Sequence, residues 1–200
     1  KLLRKLFENN IIDSVIHFAG LKATGESEKY PLDYYDNNVS GSLVLFHEMN
    51  LANVKSIIFS SSASVYGNAP NIKCKENTDL NPISVYGKTK LIIEDILKNL
   101  YKSQREWKVI NLRYFNPIGA HESGLIGDNP SLIKRNIFPI ICDVAAKEKN
   151  IFQIYGKNWE TIDGTPVRDY IHIMDLAEAH LEAHKALNDK KLENIVLNIG

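Results

Sequence analysis

The 200-residue chain has few cysteines, no excess of charge of either sign and no long apolar run. Cys74 and Cys142 lie far apart without metal-ligand spacing, which favours reduced thiols of a cytoplasmic protein over a disulfide. The 24 basic and 24 acidic side chains cancel, which argues against nucleic acid and anionic membranes as partners. No apolar stretch approaches the roughly 20 residues that span a bilayer, so no membrane partner is expected. His121 has no carboxylate or cysteine at ligand spacing, so we expect no metal site.

The sequence also lacks a G-x-G-x-x-G phrase, the glycine-rich turn on which a pyrophosphate meets a helix N-terminus. Helical spacing of apolar residues begins with the first residues, and a predicted strand over 195–198 lies at the very end. We therefore expect a piece that is truncated at both ends. We also expect this piece alone to bind a dinucleotide weakly.

What the chain does contain is a repeated alternation of strands and helices. Runs rich in apolar and β-branched residues predict strands over 11–18, 55–59 and 109–113, and helical spacing predicts helices over 43–49 and 86–101. Among the apolar residues of the first helix, His47 is expected to be packed. The alternation predicts an α/β fold with a doubly wound (Rossmann-like) parallel sheet.

From Ile118 onward glycines and prolines interrupt this alternation. One helix over 137–147 and a short strand over 152–156 are expected there, followed by the strand over 195–198 that returns to the sheet. We predict that residues 1–117 belong to a first domain that lacks its first βαβ unit. Residues 118–200 are expected to begin a smaller substrate domain and to include the returning sheet elements.

Two short segments carry residues suited to acid–base chemistry. Ser60, Ser61 and Ser62 follow the strand over 55–59, where open α/β sheets place their ligands. Tyr86 and Lys90 are four residues apart and share a helix face. An ammonium beside a phenol favours the phenolate and lowers its pKa, so Tyr86 could act as a general base. The Tyr-x-x-x-Lys spacing alone also occurs by chance. The alternative interpretation is a half-buried tyrosine beside a solvated lysine.

The serine, tyrosine and lysine together resemble the catalytic triad of the short-chain dehydrogenase/reductase family. The phrases Phe59-Ser60-Ser61-Ser62-Ala63-Ser64-Val65-Tyr66-Gly67 and Arg113-Tyr114-Phe115-Asn116-Pro117 narrow the resemblance to the extended branch that modifies nucleotide sugars. In the epimerases of that branch a Phe-Ala-Gly-Leu-Lys phrase lies along the dinucleotide, and residues 18–22 match it.

The resemblance implies a set of site residues. The implied catalytic residues are Ser62, Tyr86 and Lys90. The implied NAD-binding residues are Phe18, Ala19, Gly20, Leu21, Lys22, Asn37, Ser60, Ser61, Tyr86, Lys90 and Phe115. The implied substrate-binding residues are Lys22, Ser62, Tyr86, Asn116, Asn136, Gln153, Ile154, Tyr155 and Arg168. For Asn37 and Arg168 the plain alternatives are a polar helix-start residue and a structural pair with an aspartate.

The activity implied by the resemblance is interconversion of UDP-glucose and UDP-galactose, by transient oxidation at C4′ with tightly bound NAD. A homodimer through the helix that bears Tyr86 is implied as well. The alternatives within the family are epimerisation of UDP-N-acetylglucosamine, dehydration or decarboxylation. Dehydratases follow the serines with an Asp-Glu pair, whereas Ala63 and Ser64 follow here. An NAD-binding regulator without activity would be expected to lose Tyr86 or Lys90, and both are present.

Overall fold

A computed structural model of the chain describes residues 1–68, 73–128, 136–187, 189 and 194–200. These residues form two compact units. The first contains Lys1–Tyr114 and Ala179–Ile199, and the second contains Phe115–Glu178 and Gly200. The division therefore falls three residues before the predicted boundary, and residues 179–199 return to the first unit.

The first unit is built on a parallel sheet of four strands. They are β1 (Val15–His17), β2 (Ser56–Ser62), β3 (Lys108–Tyr114) and β6 (Asn194–Ile199), hydrogen-bonded in the order β1-β2-β3-β6. Ile57 pairs with Val15 on one side and with Val109 on the other. Because all four strands run in the same direction, their carboxyl ends meet at one edge of the sheet.

Helices cover both faces of this sheet, which confirms the predicted doubly wound α/β arrangement. They include α1 (Leu2–Asn9), α4 (Gly41–Leu51), α5 (Val85–Ser103) and the later part of α7 (Ile173–Leu187). The short helices α2 (Thr24–Ser27) and α3 (Pro31–Tyr34) pack against α5. Alternate residues of β2 point to opposite faces: Ile57 and Phe59 pack with Leu97 of α5, whereas Ile58 packs with Leu187 of α7. Both faces of the strand are thus buried, as its continuous apolar run predicted.

Two short irregular helices flank the strand edge. A π-helical segment, Tyr35–Ser40, joins α3 to α4, and a 3₁₀ turn, Ala63–Tyr66, follows β2. π-Helical segments widen a helix locally and are frequent at functional sites. After α4 the chain reverses at Asn53, whose φ of 57° is in the left-handed region that asparagine tolerates.

Three details of this unit differ from the sequence-based predictions. The first strand covers only Val15–His17 of the eight predicted residues. The three serines lie within β2 rather than after it, because their backbone continues the ladder with β3. His47 is exposed, so its predicted packing is wrong, since the helix directs Phe46 and Met49 to the sheet instead. The packed histidines of this unit include His17, which is 7% exposed, and His180, which is 5% exposed.

The second unit contains a two-stranded parallel sheet, β4 (Asn116–Ile118) paired with β5 (Tyr170–His172), and the helix α6 (Ile137–Ala145). The strand predicted over 152–156 is not formed, and these residues are irregular and exposed. A strand is stable only when a neighbouring strand satisfies its backbone groups, and none pairs with this segment among the described residues.

Candidate active site

The start of α5 is fixed by several side chains that accept hydrogen bonds from its first backbone N–H groups. Ser84 caps the helix by accepting from Gly87 N at 3.0 Å. Ser27 Oγ accepts from Tyr86 N at 3.2 Å, and Glu28 Oε1 accepts from Val85 N at 2.8 Å. These bonds satisfy donors that a helix leaves unpaired at its N-terminus. They also fix the backbone that carries Tyr86.

Lys90 lies one turn further along α5 and is buried against the end of β2. Its Nζ donates to the carbonyl oxygen of Ser60 at 2.7 Å, and the residue is 5% exposed. The same nitrogen lies 4.8 Å from the centroid of the Phe59 ring and 5.8 Å from that of the Tyr86 ring. Burial lowers the pKa of Lys90 from 10.5 to about 8, because the charged form loses its hydration.

Tyr86 is half-buried at the same edge. Burial raises the pKa of its phenol above the usual 10, a side-chain hydrogen bond with Ser62 lowers it, and the neighbouring Tyr34 raises it. The lowering of this pKa expected from the Lys90 ammonium is not found, because burial of the phenol raises it instead. Lys90 directs its Nζ to Ser60 rather than to the phenol oxygen.

The three serines of β2 serve three different contacts. The Ser62 hydroxyl accepts from Ser64 N at 3.2 Å and donates to Ser64 Oγ at 3.1 Å, which caps the 3₁₀ turn. Ser61, 1% exposed, donates its hydroxyl proton to Glu94 of α5. Ser60 forms a side-chain hydrogen bond with Tyr114, whose pKa burial raises to about 12.

The turn over 18–22 follows β1 at the same edge, and all five of its residues are exposed. Asn38, 2% exposed, fixes it by accepting from Leu21 N at 2.8 Å and donating to Leu21 O at 3.0 Å. The Asn38 amide also donates to Thr89 Oγ1 at 3.1 Å, which ties the turn to α5. Asn37, the residue predicted from the sequence, is exposed and donates to Asn38 Oδ1 at 3.0 Å.

Gly20 lies close to Lys90. A Cβ added to Gly20 would lie 3.2 Å from Asn38 Oδ1 and 3.8 Å from Lys90 Nζ. Small residues at Ala19 and Gly20 therefore leave exposed backbone beside an ammonium and a serine-bearing strand end. Backbone of this kind can approach an elongated ligand closely.

The other predicted site residues lie in the second unit. Asn116 Nδ2 donates to Asp169 O at 2.7 Å, and Asn136 Nδ2 donates to Asp128 Oδ2 at 3.4 Å. Tyr155 OH donates to Gln153 Oε1 at 3.1 Å. Ile154 is exposed and Phe115 is half-buried.

Arg168 is exposed and follows a tight loop. In that loop Asp163 Oδ1 accepts from Thr165 N at 2.9 Å, which lowers the pKa of the Asp163 carboxyl. Gly164 has a φ of 76°, and a Cβ there would lie 2.2 Å from Lys157 O. With the described residues Arg168 forms no ion pair, and its guanidinium donates to Val167 O at 2.8 Å. Its remaining donors can therefore meet an anion.

Sequence reasoning missed Asn38, Glu94 and Arg113. Asn38 is next to the predicted Asn37, and only the π-helical geometry decides which of the two is buried. Glu94 repeats the spacing of Tyr86 and Lys90 on α5, and Arg113 is a charge inside an apolar strand. Each is a charged residue among mostly apolar neighbours, which is a signal of a buried charge, but the sequence does not show that the two form a pair.

A phenol, an ammonium and serine hydroxyls converge at the carboxyl edge of a parallel sheet that is covered on both faces. The fold and this edge define an α/β protein of the Rossmann-like class, with groups suited to move a proton at a bound ligand. Across the described ranges no cluster of three His, Cys, Asp or Glu residues could hold a metal ion. No described helix is long and apolar enough to cross a membrane.

The chain belongs to the NAD dependent epimerase/dehydratase family, whose model matches residues 1–200. It is 49% identical over 198 residues to the UDP-glucose 4-epimerase GEPI48 of Cyamopsis tetragonoloba, with 99% of this chain and 57% of the relative covered. It is 52% identical over 203 residues to the UDP-glucose 4-epimerase of Neisseria meningitidis serogroup C, with 100% of this chain and 59% of the relative covered.

Among solved structures, the chain is similar to the UDP-glucose 4-epimerase from Bifidobacterium longum in complex with NAD+ and UDP. The TM-score is 0.94 at 46% identity, with 100% of this chain and 59% of that chain covered. A UDP-glucose 4-epimerase from Stenotrophomonas maltophila with bound NAD and formylated UDP-arabinopyranose gives 0.94 at 43% identity, with the same coverage. The chain thus spans between half and two thirds of the length of these relatives.

Proposed function

We propose that the full-length protein is a UDP-glucose 4-epimerase that interconverts UDP-glucose and UDP-galactose with bound NAD. The observation that carries the proposal is the convergence of Tyr86, Lys90 and Ser62 at one sheet edge. It is supported by relatives of that activity that match the whole chain at about half identity, among them one 49% identical over 198 residues.

In the proposed reaction Tyr86 is the general base. Its phenol oxygen takes the proton of the sugar 4′-hydroxyl as C4′ is oxidised, and returns it when C4′ is reduced. Ser62, whose side chain lowers the pKa of Tyr86, would hold the 4′ oxygen while its proton moves. Lys90 fixes the strand end through the Ser60 carbonyl, and its Nζ lies 5.8 Å from the centroid of the Tyr86 ring.

The residues at this edge fit NAD. The exposed turn over 18–22 carries little side-chain bulk at Ala19 and Gly20, and Gly20 faces Lys90 Nζ. NAD, when bound, would supply the reversible oxidation of the sugar at C4′. We propose that the turn and Asn37 bind NAD together with Ser60, Ser61, Tyr86, Lys90 and Phe115. Because the Ser61 hydroxyl is bonded to Glu94, Ser61 would contribute its backbone.

We assign substrate binding to the remaining predicted residues. Arg168, with donors not used by the described residues, would pair with the diphosphate of the UDP-sugar. Asn116, Asn136 and the exposed segment Gln153, Ile154 and Tyr155 would hold the nucleotide, and Lys22 would reach toward the sugar. Because Lys22 is exposed on the turn over 18–22, its ammonium can reach a bound anion.

Epimerisation is favoured over dehydration by the two residues after Ser62. Elimination of water needs an acid and a base beside the sugar, and Ala63 and Ser64 supply neither. We further propose that the protein acts in galactose metabolism in the cytoplasm, as a homodimer through α5. Ile92, an apolar side chain 36% exposed on α5, is consistent with a partner on that helix.

The test is incubation of the purified full-length protein with UDP-glucose without added cofactor. Formation of UDP-galactose, identified by NMR, is the expected result. A 4-keto-6-deoxy sugar would instead identify a dehydratase. If the protein converts UDP-N-acetylglucosamine but not UDP-glucose, its substrate is the N-acetylated sugar.

A further inference from the structure

A buried ion pair lies directly behind the proposed catalytic edge. Arg113 Nε donates to Glu94 Oε1 at 3.0 Å, and Arg113 Nη2 donates to Glu94 Oε2 at 2.6 Å. The two side chains are 3% and 6% exposed. Burial lowers the pKa of Arg113, but Glu94 and Tyr66 outweigh it, so the net pKa is raised and the guanidinium stays charged. A bidentate pair of this kind fixes geometry because both partners lose most of their freedom.

The ion pair is tied to the residue that precedes Ser62. Ser61 donates its hydroxyl proton to Glu94, and Ser61 is the register partner of Arg113 in the β2–β3 ladder. Glu94 is one turn beyond Lys90 on α5. The pair therefore joins the strand that carries Ser62 to the helix that carries Tyr86.

The same pair is tied to the turn that follows Ser62. Arg113 Nη1 donates to Tyr66 OH at 2.9 Å, and Tyr66 is the last residue of the 3₁₀ turn that Ser62 caps. Tyr66 OH donates in turn to Asn198 Oδ1 at 2.6 Å on β6. Arg113 Nη1 also donates to Glu76 O at 3.1 Å. Ser62 is thus held on both sides by groups bonded to one ion pair.

We propose that Glu94 and Arg113 are positioning residues that fix Ser62 relative to Tyr86. They act through Ser61 on the amino side of Ser62 and through Tyr66 on its carboxyl side. The proposal rests on the proposed epimerase function for its effect on turnover. The hydrogen bonds that hold Ser62 on its two sides are independent of that function.

Loss of the ion pair has a defined consequence for Tyr86. The hydrogen bond with Ser62 lowers the pKa of Tyr86, so displacement of Ser62 raises that pKa. The pH at which the phenolate forms therefore moves upward when the pair is broken.

The other charged or titratable groups that face the phenol are Lys90 on its own helix, Tyr34 on α3 and Tyr114 on β3. Lys90 donates to Ser60 O, and Tyr34 donates to Ala23 O. Tyr114 OH is hydrogen-bonded to His180 Nε2 on α7. These bonds do not involve the ion pair, so they persist when the pair is broken.

The experiment uses the full-length protein with its bound cofactor and the variants Glu94→Gln, Ser61→Ala and Tyr66→Phe. Ser61→Ala and Tyr66→Phe each remove one hydroxyl and leave the ion pair intact, so they decide the question if Glu94→Gln does not fold. The control is Leu97→Ala, one turn beyond Ile93 on α5, 0% exposed and part of the apolar core. It weakens the same helix–sheet packing.

The readouts are kcat and KM for UDP-glucose, the pH profile of kcat, and the ionisation of Tyr86. The last is the tyrosinate absorbance of each variant minus that of the same variant carrying Tyr86→Phe. We expect kcat to fall roughly ten- to a hundred-fold in Glu94→Gln with little change in KM, which is the scale of a small misplacement. The pH profile of kcat and the ionisation of Tyr86 should both move to higher pH. The shift should be largest in Glu94→Gln and smaller in Ser61→Ala and Tyr66→Phe.

Leu97→Ala should lower the melting temperature and leave the pH profile unchanged. The proposal is overturned if the Glu94 and hydroxyl variants keep the parent profile and ionisation, or if Leu97→Ala moves them equally. A parent protein that shows no epimerisation would refute the proposed function only, because the ionisation of Tyr86 still reports on Ser62.

Discussion

Lys90→Met tests whether the burial of this lysine costs stability as the structure requires. Lys90 is 5% exposed, and its pKa falls from 10.5 to about 8 because the ammonium is removed from water. A folded-state pKa below the unfolded value means that the unfolded chain binds more protons between the two values. Stability of the parent protein therefore rises with pH across that window.

The size of this rise follows from the two pKa values. With each pKa unit worth about 1.4 kcal/mol, the fall from 10.5 to about 8 corresponds to about 3 kcal/mol in all. Between pH 7 and pH 9.5 the parent protein regains about 2 kcal/mol of this free energy of unfolding. Methionine does not titrate, so the advantage of Lys90→Met over the parent should shrink by that amount between pH 7 and pH 9.5.

At pH 7 the lost hydrogen bond to Ser60 O offsets part of the gain. A bond from a charged donor contributes roughly 1.5–3 kcal/mol, which leaves the variant equal to the parent or up to about 1.5 kcal/mol more stable. The measurement is urea unfolding of the cofactor-stripped full-length parent and variant at both pH values. The difference between their free energies of unfolding is compared, because the ionisation of groups that both proteins share cancels in that difference. Lys88→Met is the control: Lys88 is exposed two residues away on α5.

A Lys90→Met protein that is less stable than the parent protein, by the same margin at pH 7 and at pH 9.5, would refute this reasoning. It would show that the ammonium is not held at a desolvation cost. The same variant should also lose activity, because the hydrogen bond from Lys90 to Ser60 O that fixes the end of the serine-bearing strand is lost. Lys88→Met should change neither property.

Three further predictions concern single side chains. Tyr86→Phe should retain the fold and NAD content and lower turnover by roughly 10²–10⁴-fold, as expected for a lost general base, and steady-state kinetics showing near-normal turnover would exclude that role. Arg168→Ala should weaken UDP binding by about 1.5–3 kcal/mol in calorimetry with NAD retained, and unchanged UDP affinity with loss of cofactor would place the residue elsewhere. Asn38→Ala should destabilise the protein by roughly 1–3 kcal/mol because it leaves Leu21 and Thr89 without their partner. A urea midpoint equal to that of the parent would show that Asn38 does not stabilise the turn over 18–22.

The sheet could be predicted from the sequence because its strands are buried on both faces. Such strands read as mostly apolar runs, as in residues 57–59 and in residues 109–112 apart from Asn111, and the helices between them show the 3.6-residue spacing. The short strand over 116–118 could not be predicted, since its pairing with 170–172 comes from a distant part of the chain. For the same reason the apolar segment over 152–156 suggested a strand, although no described strand pairs with it.

The proposed site could be predicted only where its residues are local in sequence. Tyr86 and Lys90 lie one helical turn apart, so their spacing was informative. Glu94 and Arg113 meet because α5 packs on β3, a contact that no local pattern contains. The pKa of Tyr86 could not be predicted either, because it depends on how deeply the ring is buried and on where Lys90 directs its nitrogen.

The central claim is that the full-length protein inverts C4′ by oxidising and reducing the same carbon, with Tyr86 moving the proton. The most direct measurement is turnover of UDP-glucose that carries deuterium at C4′, followed by NMR of the UDP-galactose formed. The account predicts that the product keeps its deuterium at C4′ and that Tyr86→Phe forms almost none. Product formed by the parent protein with deuterium lost to solvent, or formed at a normal rate by Tyr86→Phe, would contradict the account.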